Sequence, residues 1–496
     1  MKKVKVELFN RYAKFHADSN TILALKDTFK YQIPGYVHAP SYQMGEWDGF
    51  VSTVSRGKIP TGVFLAKAKE FSDTYHFVVK DSREPIELLP FSPSSKDRPY
   101  QIEAINKARK VSATGGIFIC ATQTGKTHII SRHLQHVKAN VVFLVHEITL
   151  LEQAKETLEA VTKEEVGVVG GGEKKVRRIT VSTVQSLIRQ VSVGNKKNPV
   201  LIDMMKQAEV VVIDELHLMI NESTNKVVDF INPKVVYGLT ASLELEKPYV
   251  AYPAHSLAGP LVFQYSLPDG IEEGYLKKGI ILRLLVPQPR LTVMRAAAET
   301  PEQVYAEAIT NNRQRNDMIV DIVDSAVRRK HRIVIFAQRL EHIENLVELI
   351  HARGVPCSAV TGSTSKKERV SLRNAFEEGR IPVFVVSSVF SHGIRVNTLT
   401  MTIDVGAARS ANHIIQKYGR GTGAVEGGFN GKVHIDLADT DREYRGNARE
   451  RSKTLKKLGA ELYRIPWEKI RDSDDLIQLL DKKLKKLVNS TSKISS

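Results

Sequence analysis

Cysteine and long apolar runs are both scarce in this 496-residue sequence. Its two cysteines, Cys120 and Cys357, are too few for a disulfide framework and indicate a reducing compartment. No segment approaches the ~20 consecutive apolar residues that are needed to span a bilayer. Residues 1–15 alternate charged and apolar side chains and lack the apolar stretch of a signal peptide. We therefore expect a soluble, cytoplasmic protein with no membrane partner.

Acidic residues are outnumbered by basic ones. Lysine and arginine total 72 against 55 aspartates and glutamates, which gives a formal net charge of +17. Such an excess favours a polyanionic partner, although it is also compatible with simple solubility. Among polyanions we favour nucleic acid over a membrane surface, because no long basic amphipathic helix with an aromatic face is evident.

The order of apolar segments indicates several domains. The length suggests about three. Residues 1–90 mix short strand-like segments with aromatic turns, and the Pro- and Ser-rich segment 90–99 has the composition of a linker. Five apolar strand candidates within 116–240 and five more within 332–438 alternate with helical patterns. That alternation is typical of parallel sheets covered on both faces, so we interpret 243–300 as the connection between two such units.

We therefore predict an α/β fold in four segments. These are a small α+β N-terminal domain at 1–90, a parallel-sheet domain at 91–245, a connecting segment with a second parallel-sheet domain at 246–440, and a basic helical tail at 441–496. Five leucines at helical spacing in the tail are expected to pack on the body of the protein. They are Leu476, Leu479, Leu480, Leu484 and Leu487.

The segment CATQTGKTHI, residues 120–129, nearly matches the phosphate-binding loop G-x-x-x-x-G-K-[ST]. Gly125, Lys126 and Thr127 close the motif, but Cys120 stands in place of its first glycine. A strand candidate precedes the segment and a helical pattern follows, which is the context that the motif requires. We expect backbone N–H groups to hold phosphates, Lys126 to neutralise them and Thr127 to bind Mg²⁺.

A second motif, VVVIDELH, follows at 210–217. Four apolar residues that end in two carboxylates predict a buried strand with Asp214 and Glu215 at its C-terminal end, where ligands bind in open α/β sheets. Asp214 is suited to bind Mg²⁺, and Glu215 to take a proton from an attacking water. An acidic turn after a strand is common by itself. Its occurrence after a strand–GKT motif in the same domain, in the expected order, is much less often a coincidence.

With His217, these residues resemble the DExH box of superfamily 2 helicases. RPYQIEAI at 98–105 resembles the adenine-reading segment of that family, and LTAS at 239–242 its coupling motif. LVHEITLLEQ and VSTVQSL resemble its DNA-contacting motifs. VIFAQRLEHIENL, VVSSVFSHGIRV and HIIQKYGRGTG resemble the three remaining motifs, in order. Members often carry a small residue such as alanine at the position of Cys120, so the phosphate loop is expected to function.

The resemblance implies two tandem RecA-like motor domains that use ATP and Mg²⁺. The implied catalytic residues are Lys126, Asp214, Glu215, Gln416 and Arg420. The implied nucleotide contacts are Arg98, Tyr100, Gln101, Thr122, Gln123, Thr124, Gly125, Lys126, Thr127 and Gly393, with Thr127 and Asp214 as Mg²⁺ ligands. The implied coupling residues are His217, Thr240 and Ser242. Backbone contacts to nucleic acid are expected near Thr183, Gly362 and Ser388.

The N-terminal segments PGYVHAPSYQMGEWDGFV and GKIPTGVFLAKAKEF resemble the first domain of the UvsW-type phage helicases, which implies that residues 1–90 are a DNA-recognition domain. VVSSVFSHGIRVNTL is also similar to theirs, including the absence of an aspartate at Arg395. This resemblance implies branch migration of Holliday junctions, fork regression and R-loop unwinding in recombination and repair. It further implies a phage protein in the host cytoplasm that acts on branched or forked DNA. We expect a monomer, and the sequence identifies no protein partner.

One departure from the family pattern leaves alternatives open. The last motif usually reads Q-x-x-G-R-x-x-R, and here Gly423 replaces the final arginine. Arg420 must then act on the γ-phosphate alone or with Arg409, and weak hydrolysis would follow. One alternative function is therefore an ATP-binding DNA clamp. A DExH RNA helicase is another, and a restriction-enzyme motor, whose nuclease would need the E-x-K segment 173–175, is a third.

Overall fold

A computed structural model describes the chain except residues 193, 195–196, 277–278, 287–299, 388–397, 408–431, 441, 459, 471 and 493–496. The chain forms two compact units: residues 1–120 with 125–265, and residues 266–496, with which 121–124 are grouped. The predicted site residues Ser388, Gly393, Gln416 and Arg420 lie outside the described residues, as do Arg395, Arg409 and Gly423. No helix in the described part combines the length and apolar character needed to cross a bilayer.

The N-terminal part of the first unit is a four-stranded sheet with a separate two-stranded ribbon. The strands are β1 (Lys2–Leu8), β2 (Tyr12–His16), β3 (Lys30–Gln32), β4 (Phe50–Ser52), β5 (Lys58–Pro60) and β6 (Tyr75–Asp81). The sheet order is β5–β2–β1–β6, and β3 pairs with β4. The helices are Ser19–Thr28, Pro40–Gln43 and Thr61–Lys67. Alternation along β1 buries its apolar residues and turns its lysines to solvent.

An eight-stranded sheet forms the body of the first unit. Its strands are β7 (Gly115–Cys120), β8 (Val141–Val145), β9 (Gly167–Gly170), β10 (Glu173–Lys175), β11 (Ile179–Thr183), β12 (Val210–Ile213), β13 (Val235–Thr240) and β14 (Leu261–Tyr265). The order is β10–β9–β11–β8–β12–β13–β7–β14, and every pairing except β10 with β9 is parallel. Its helices are Pro99–Lys110, Lys126–Leu134, Leu151–Thr162, Val184–Val191, Pro199–Gln207, Leu216–Met219, Glu222–Ile231 and Pro248–Ala258.

The small N-terminal sheet is fixed to this body within the first unit. The side-chain amide of Asn10 donates to three backbone carbonyls at 2.8–3.1 Å, those of Glu84, Ala113 and Lys234. Gly62 packs so tightly against helix Pro248–Ala258 that a Cβ at its position would lie 2.1 Å from the His255 carbonyl. Residues 1–90 therefore share a compact unit with the larger sheet.

The second unit contains a seven-stranded parallel sheet in the order β17–β18–β16–β19–β20–β15–β21. Its strands are β15 (Gly279–Val286), β16 (Ile333–Phe336), β17 (Cys357–Val360), β18 (Val383–Val386), β19 (Met401–Asp404), β20 (Lys432–Asp439) and β21 (Glu461–Pro466). Its helices are Leu267–Glu272, Pro301–Tyr305, Arg313–Arg328, Leu340–Ala352, Lys366–Glu378, Arg442–Lys456 and Ser473–Ser492. The ten predicted strands of the two sheets are confirmed, as is the α/β class.

The predicted segment limits need correction. Strand β14 extends the first sheet beyond residue 245, and β15 is a central strand of the second sheet inside the segment interpreted as a connection. Within the predicted helical tail, 441–496, the sequence prediction lacked strand β21, which pairs with β15, whereas helix Ser473–Ser492 packs on the core as its leucines predict. Four of its five leucines are buried there, whereas Leu479 is 41% exposed.

Candidate nucleotide site

The phosphate-loop segment has the backbone that the motif predicts. Strand β7 ends at Cys120, and a helix begins at Lys126 with Gly125 as its N-cap. Gly125 and Gln123 have φ values of +84° and +68°, the left-handed region that side chains other than glycine rarely adopt. Burial raises the pKa of the Cys120 thiol to about 12. The cysteine is therefore a neutral packing residue at the position of the first glycine.

Two threonines of the loop differ in their hydrogen bonding. The Thr124 hydroxyl donates to the Ala121 carbonyl at 2.7 Å, which tightens the turn. The Thr122 hydroxyl is buried, and no hydrogen-bond partner for it exists among the described residues. A buried donor without a protein partner costs free energy unless a ligand satisfies it. Thr122 therefore fits a loop that receives a phosphate oxygen.

The adenine-reading segment lies against the start of the phosphate-loop helix. Gln101 is 5% exposed, and its Oε1 accepts from the Arg98 backbone N–H at 3.0 Å. A Cβ on Gly125 would lie 2.8 Å from Gln101 Nε2, and the φ of +84° at this position also favours glycine. The Arg98 guanidinium donates to the Tyr100 hydroxyl at 3.1 Å, and the Tyr100 ring stacks on Tyr265 at 3.9 Å.

Asp97 is a site-positioning residue that the sequence did not reveal. Its fully buried carboxylate accepts from Arg132 at 3.0 and 3.2 Å and lies 3.0 Å from His128 Nε2. Although burial opposes ionisation, the hydrogen bonds from Arg132, Ser94 and His128 lower the pKa of Asp97. Since His128 and Arg132 belong to the phosphate-loop helix, Asp97 ties the adenine-reading segment to that helix. An aspartate beside RPYQ was the only sequence signal.

The two carboxylates of the DExH box follow β12 directly. Asp214 accepts from the Glu215 backbone N–H at 3.1 Å. Glu215 has φ +49° and is the N-cap of the short helix Leu216–Met219. Non-glycine residues held in this left-handed region cost free energy and concentrate at functional sites. The backbone therefore turns sharply at the carboxylates, where the sequence predicts the catalytic base.

The sheet order brings the two motifs to one edge. Strands β12 and β7 flank β13, and all three are parallel. Their C-terminal ends therefore lie two strand spacings apart, about 10 Å. Lys126 and Thr127 follow β7, while Asp214 and Glu215 follow β12, so the four predicted residues share the ligand-binding edge of the first sheet.

The predicted coupling residues are joined by hydrogen bonds. His217 Nδ1 lies 2.9 Å from the Thr240 hydroxyl and 3.5 Å from Glu215 Oε2. The Thr240 hydroxyl donates to the Ser242 carbonyl at 2.8 Å. The side chains of His217 and Thr240 are nearly inaccessible to solvent. The DExH box is thus connected to the strand end that follows β13.

The oxygen donors at this edge fit a nucleotide-bound magnesium ion. A threonine hydroxyl and one carboxylate, at Thr127 and Asp214, are hard ligands, which Mg²⁺ supplements with phosphate oxygens and water. Within the described residues there is no group of three or more His, Cys, Asp or Glu side chains that could hold a metal ion without such help. The donor set therefore suits Mg²⁺ carried by a nucleotide rather than a protein-only metal site.

Two of the three predicted nucleic-acid contacts are described. Thr183 is 1% exposed, and its hydroxyl caps helix Val184–Val191 by accepting from the Ser186 N–H at 3.3 Å. Gly362 is exposed, with open space around the position of a Cβ. Arg369 holds its loop by donating to the carbonyls of Thr361 at 3.0 Å and Gly362 at 3.3 Å. The nucleic-acid role of both residues stays a prediction.

Two family descriptions match the chain. Residues 94–245 match the type III restriction enzyme, res subunit, and residues 314–422 match the helicase conserved C-terminal domain. The first match contains the phosphate loop and the DExH carboxylates. The second lies within the second unit.

Comparison with individual proteins extends the similarity over most of the chain. It is 25% identical to the DNA 3'-5' translocase XPB2 of Sulfurisphaera tokodaii over 68% of this chain and 81% of that protein. It is 20% identical to the ATP-dependent DNA helicase uvsW of Enterobacteria phage T4 over 82% of this chain and 85% of the phage protein. An HsdR fragment of a type I restriction enzyme from Vibrio vulnificus has a TM-score of 0.55 at 19% identity, covering 78% of this chain and 70% of the fragment. That likeness concerns the fold alone.

Proposed function

We propose that this chain, which belongs to the superfamily 2 helicases and is an ATP-dependent DNA helicase, remodels branched DNA. The superfamily predicted from the DExH box is confirmed by the two family matches and by the DNA-helicase relatives. The specific reactions in our proposal are branch migration of Holliday junctions, fork regression and R-loop unwinding, in recombination and repair. We further propose that the chain is a monomeric phage protein that acts in the cytoplasm of its host. This part of the proposal rests on the UvsW resemblance.

The observation that supports branched DNA most directly is the rigid attachment of the N-terminal sheet to the first motor sheet. Asn10 bridges three backbone segments of the first unit, and helix Thr61–Lys67 packs on helix Pro248–Ala258. A DNA arm held by the N-terminal sheet would then move with the motor sheet. A motor that pulls one arm while it holds another is suited to shift a branch point.

The geometry of the first sheet supports the following division of labour during hydrolysis. Bound Mg²⁺–ATP supplies the phosphoryl group that is transferred to water. Lys126 would neutralise the phosphates, and Thr127 with Asp214 would hold the metal ion. Glu215 would accept a proton from the attacking water. Gln101 would select adenine, and its place beside Gly125 would align the base with the phosphate loop.

A conformational change linked to hydrolysis would be transmitted from the nucleotide site through the predicted coupling residues. His217 lies between Glu215 and Thr240, so a change at the catalytic carboxylate would alter the hydrogen bond at the end of β13. A hydrogen bond with two arrangements is a sufficient switch if each arrangement favours a different state of the motor. Gln416 and Arg420 would complete the charge stabilisation, and their roles remain predictions from the sequence.

The test compares ATP hydrolysis and strand exchange on matched substrates: plain duplex, forked duplex, a four-way junction, an R-loop and single-stranded RNA. We expect forked and four-way DNA to stimulate hydrolysis more than duplex or RNA, and the junction to be converted to products in the presence of ATP. Equal stimulation by RNA would favour the RNA-helicase alternative. Intact junction conversion by Glu215→Gln would favour the clamp and contradict the motor.

The nuclease that the restriction-motor alternative requires has little support within the described residues, although residues 94–245 match a restriction-enzyme subunit. That nuclease would need the segment Glu173–Lys175, which forms the exposed edge strand β10. No cluster of three acidic or histidine side chains that could hold a nuclease metal is found in the described ranges. DNA cleavage in the presence of Mg²⁺ would revive this alternative.

A further inference from the structure

The outward face of the N-terminal sheet is covered with basic side chains. The strand register aligns a row across all four strands, made by Lys58, Lys14, Glu7 and Lys80. A second row aligns His16, Lys5 and Val78, and a third aligns Lys3 with His76. All five lysines and both histidines are exposed. We call these nine residues, together with Tyr12, the outer sheet face.

Only one acidic side chain belongs to the outer sheet face. Glu7 accepts from Lys80 Nζ at 2.6 Å and from the Ser82 hydroxyl at 3.0 Å, and it lies 3.6 Å from His16 Nε2. It therefore neutralises the charge at one edge of the sheet. Within the part of the chain that the structure describes, Lys3, Lys5, Lys14 and Lys58 form no ion pair, whereas Lys80 pairs with Glu7. Four of the five lysines thus present their charge to solvent without an acidic partner.

Part of this arrangement opposes folding. Lys14 is directly opposite Lys58 on one neighbouring strand, and it is also directly opposite Glu7 on the other. Like charges in directly opposed positions destabilise a sheet. The inward face already supplies the hydrophobic core, through Val4, Val6 and Phe15 among others, so the fold does not require lysine at the outward positions. A polyanionic ligand would turn the repulsion into binding free energy.

From this pattern we propose that the outer sheet face binds the phosphate backbone of duplex DNA. Lys58 on the edge strand β5 and Lys5 on β1 are two strand spacings apart, about 10 Å, and neither has an acidic partner among the described residues. That distance is comparable to the ~12 Å width of the major groove of B-DNA, so the face can contact phosphates on both sides of a groove. Lysines bound to phosphates carry no sequence information, which suits a protein that must act at any branch point.

Single-stranded DNA fits the outer sheet face less well. Non-specific single-strand binding relies on aromatic rings on which successive bases stack. Tyr12 is the one aromatic ring among these residues, and Lys58 Nζ lies 4.2 Å from its centroid while Phe9 stacks on it at 4.8 Å. Little ring surface is left for a base. The outer sheet face therefore has the lysines that bind phosphates but lacks free rings on which bases could stack, and this combination favours duplex DNA over single-stranded DNA.

The inference rests on the proposed function for its biological meaning, but it can be tested without a branched substrate. The test variant of the full chain is Lys5→Ala/Lys14→Ala/Lys58→Ala. The matched control is Lys26→Ala/Lys69→Ala/Lys110→Ala, which removes three exposed lysines of the same unit that lie off this face. The Kd for a short blunt duplex is measured by fluorescence anisotropy over a salt series, and the stability of each variant by thermal denaturation.

We expect the face variant to weaken duplex binding and to flatten the plot of log K against log salt. The slope should become less steep by about 0.9 for each phosphate that is no longer neutralised, so by up to about 3, while the control variant keeps the wild-type slope. The Lys5→Arg/Lys14→Arg/Lys58→Arg variant should also keep it. The face variant should melt close to the wild-type temperature, because Lys5, Lys14 and Lys58 are exposed and lie outside the hydrophobic core of this sheet.

Equal slopes for the face and control variants would overturn the inference and leave the helicase activity on forks untouched. If the face variant melted at a much lower temperature, its binding slope would not be interpretable. The salt slopes of the arginine variant and of Lys58→Ala would then be compared with the control, since each of these changes alters less of the sheet. Failure of the wild-type chain to convert junctions would instead contradict the proposed function, and the comparison of slopes would still decide the role of the face.

Discussion

His217 of the DExH box and Thr240 at the end of β13 are joined by a hydrogen bond of 2.9 Å between Nδ1 and the hydroxyl. The residues are 23 positions apart in the sequence and meet because their strands are neighbours in the sheet. The same hydroxyl lies 2.8 Å from the Ser242 carbonyl, to which it can donate while it accepts from an Nδ1–H of the imidazole. The two contacts hold the ring of His217 at the end of β13.

Replacing Thr240 by valine should uncouple hydrolysis from DNA movement. The change keeps the shape of the side chain but removes its hydrogen bonds to His217 and to the Ser242 carbonyl. If the bond to His217 contributes about 1 kcal/mol to coupling, we expect about fivefold less DNA unwound per ATP. The measurement is the ratio of unwinding rate to ATPase rate at saturating DNA. Thr162→Val is the matched control, because the Thr162 hydroxyl donates to its own helix at Leu158. A similar decrease in both variants would contradict a coupling role.

Replacing Glu215 by glutamine should abolish turnover while ATP still binds. The amide cannot accept the proton of the attacking water, and removal of a general base typically lowers the rate by about 10² to 10⁴. ATPase assays measure the rate, and a fluorescent nucleotide analogue measures binding. Glu222→Gln, at an exposed carboxylate paired with Lys226, should retain wild-type turnover. Substantial hydrolysis by the Glu215 variant would place the base elsewhere.

Two adjacent leucines of helix Ser473–Ser492 should respond differently to truncation. Leu480 is 1% exposed in the core of the second unit, so Leu480→Ala should lower the free energy of unfolding by about 2 to 5 kcal/mol. Leu479 is 41% exposed, and Leu479→Ala should change the free energy of unfolding by less than about 0.5 kcal/mol. Urea denaturation of the full chain gives both values. Equal effects would mean that this helix does not pack as described.

The second unit should lose stability in acid through Asp436. This buried carboxylate accepts from Arg451 at 2.7 Å and from Arg283 at 2.9 Å. Burial opposes its ionisation, but the two guanidiniums prevail and lower its pKa. Because the folded pKa lies below the unfolded value of about 3.9, the contribution is fully present above that pH and is lost as the pH falls through the folded pKa.

The same carboxylate gives a mutational test. Asp436→Asn leaves two buried guanidiniums without a counter-charge and should destabilise the protein by about 3 to 5 kcal/mol at neutral pH. Urea midpoints at several pH values would show the difference shrinking below about pH 4. Asp317→Asn removes an exposed i,i+4 pair with Arg313 and should cost less than about 0.5 kcal/mol. A pH-independent difference would exclude ionised Asp436 as the cause.

Cys120→Ala should leave ATP hydrolysis within about twofold of the wild-type rate. The thiol is buried, and burial keeps it protonated, so it packs as a small apolar group beside the phosphate loop. For the same reason a maleimide at pH 8 should modify Cys120 only after unfolding. Mass spectrometry of native and urea-treated protein would decide this, and rapid labelling of native Cys120 would contradict the packing role.

The strands that the sequence predicted and those it missed differ in where they lie. Central strands such as β8, β12 and β16 are buried on both faces and therefore appear as continuous apolar runs. The missed strands β10, β14 and β21 lie at sheet edges, where exposed positions interrupt the apolar pattern. Strands β9 and β15 are exceptions, because both lie inside a sheet: β9 is only the four residues GVVG, and the signal of GIILRLLV in β15 was obscured by the surrounding Pro- and Tyr-rich segment.

Site residues follow a similar rule. Lys126, Thr127, Asp214 and Glu215 were predicted because each belongs to a short local motif, and the sheet order places them on one edge. Asp97 was missed because its partner Arg132 is 35 residues away and only the folded chain brings them together. The outer sheet face was missed for the same reason, since alternating lysines acquire meaning only when the register aligns neighbouring strands.

The late position of β21 and helix Ser473–Ser492 has a consequence for biosynthesis. Both elements complete the core of the second unit, and Leu480 and Leu484 close it from the C-terminal side. During translation the first unit can fold while the second still lacks an edge strand and a helix, so its apolar sheet stays uncovered until these residues leave the ribosome. A premature stop shortly before residue 461 would therefore produce a chain with a folded nucleotide-binding half and an aggregation-prone partner half, which proteases would remove.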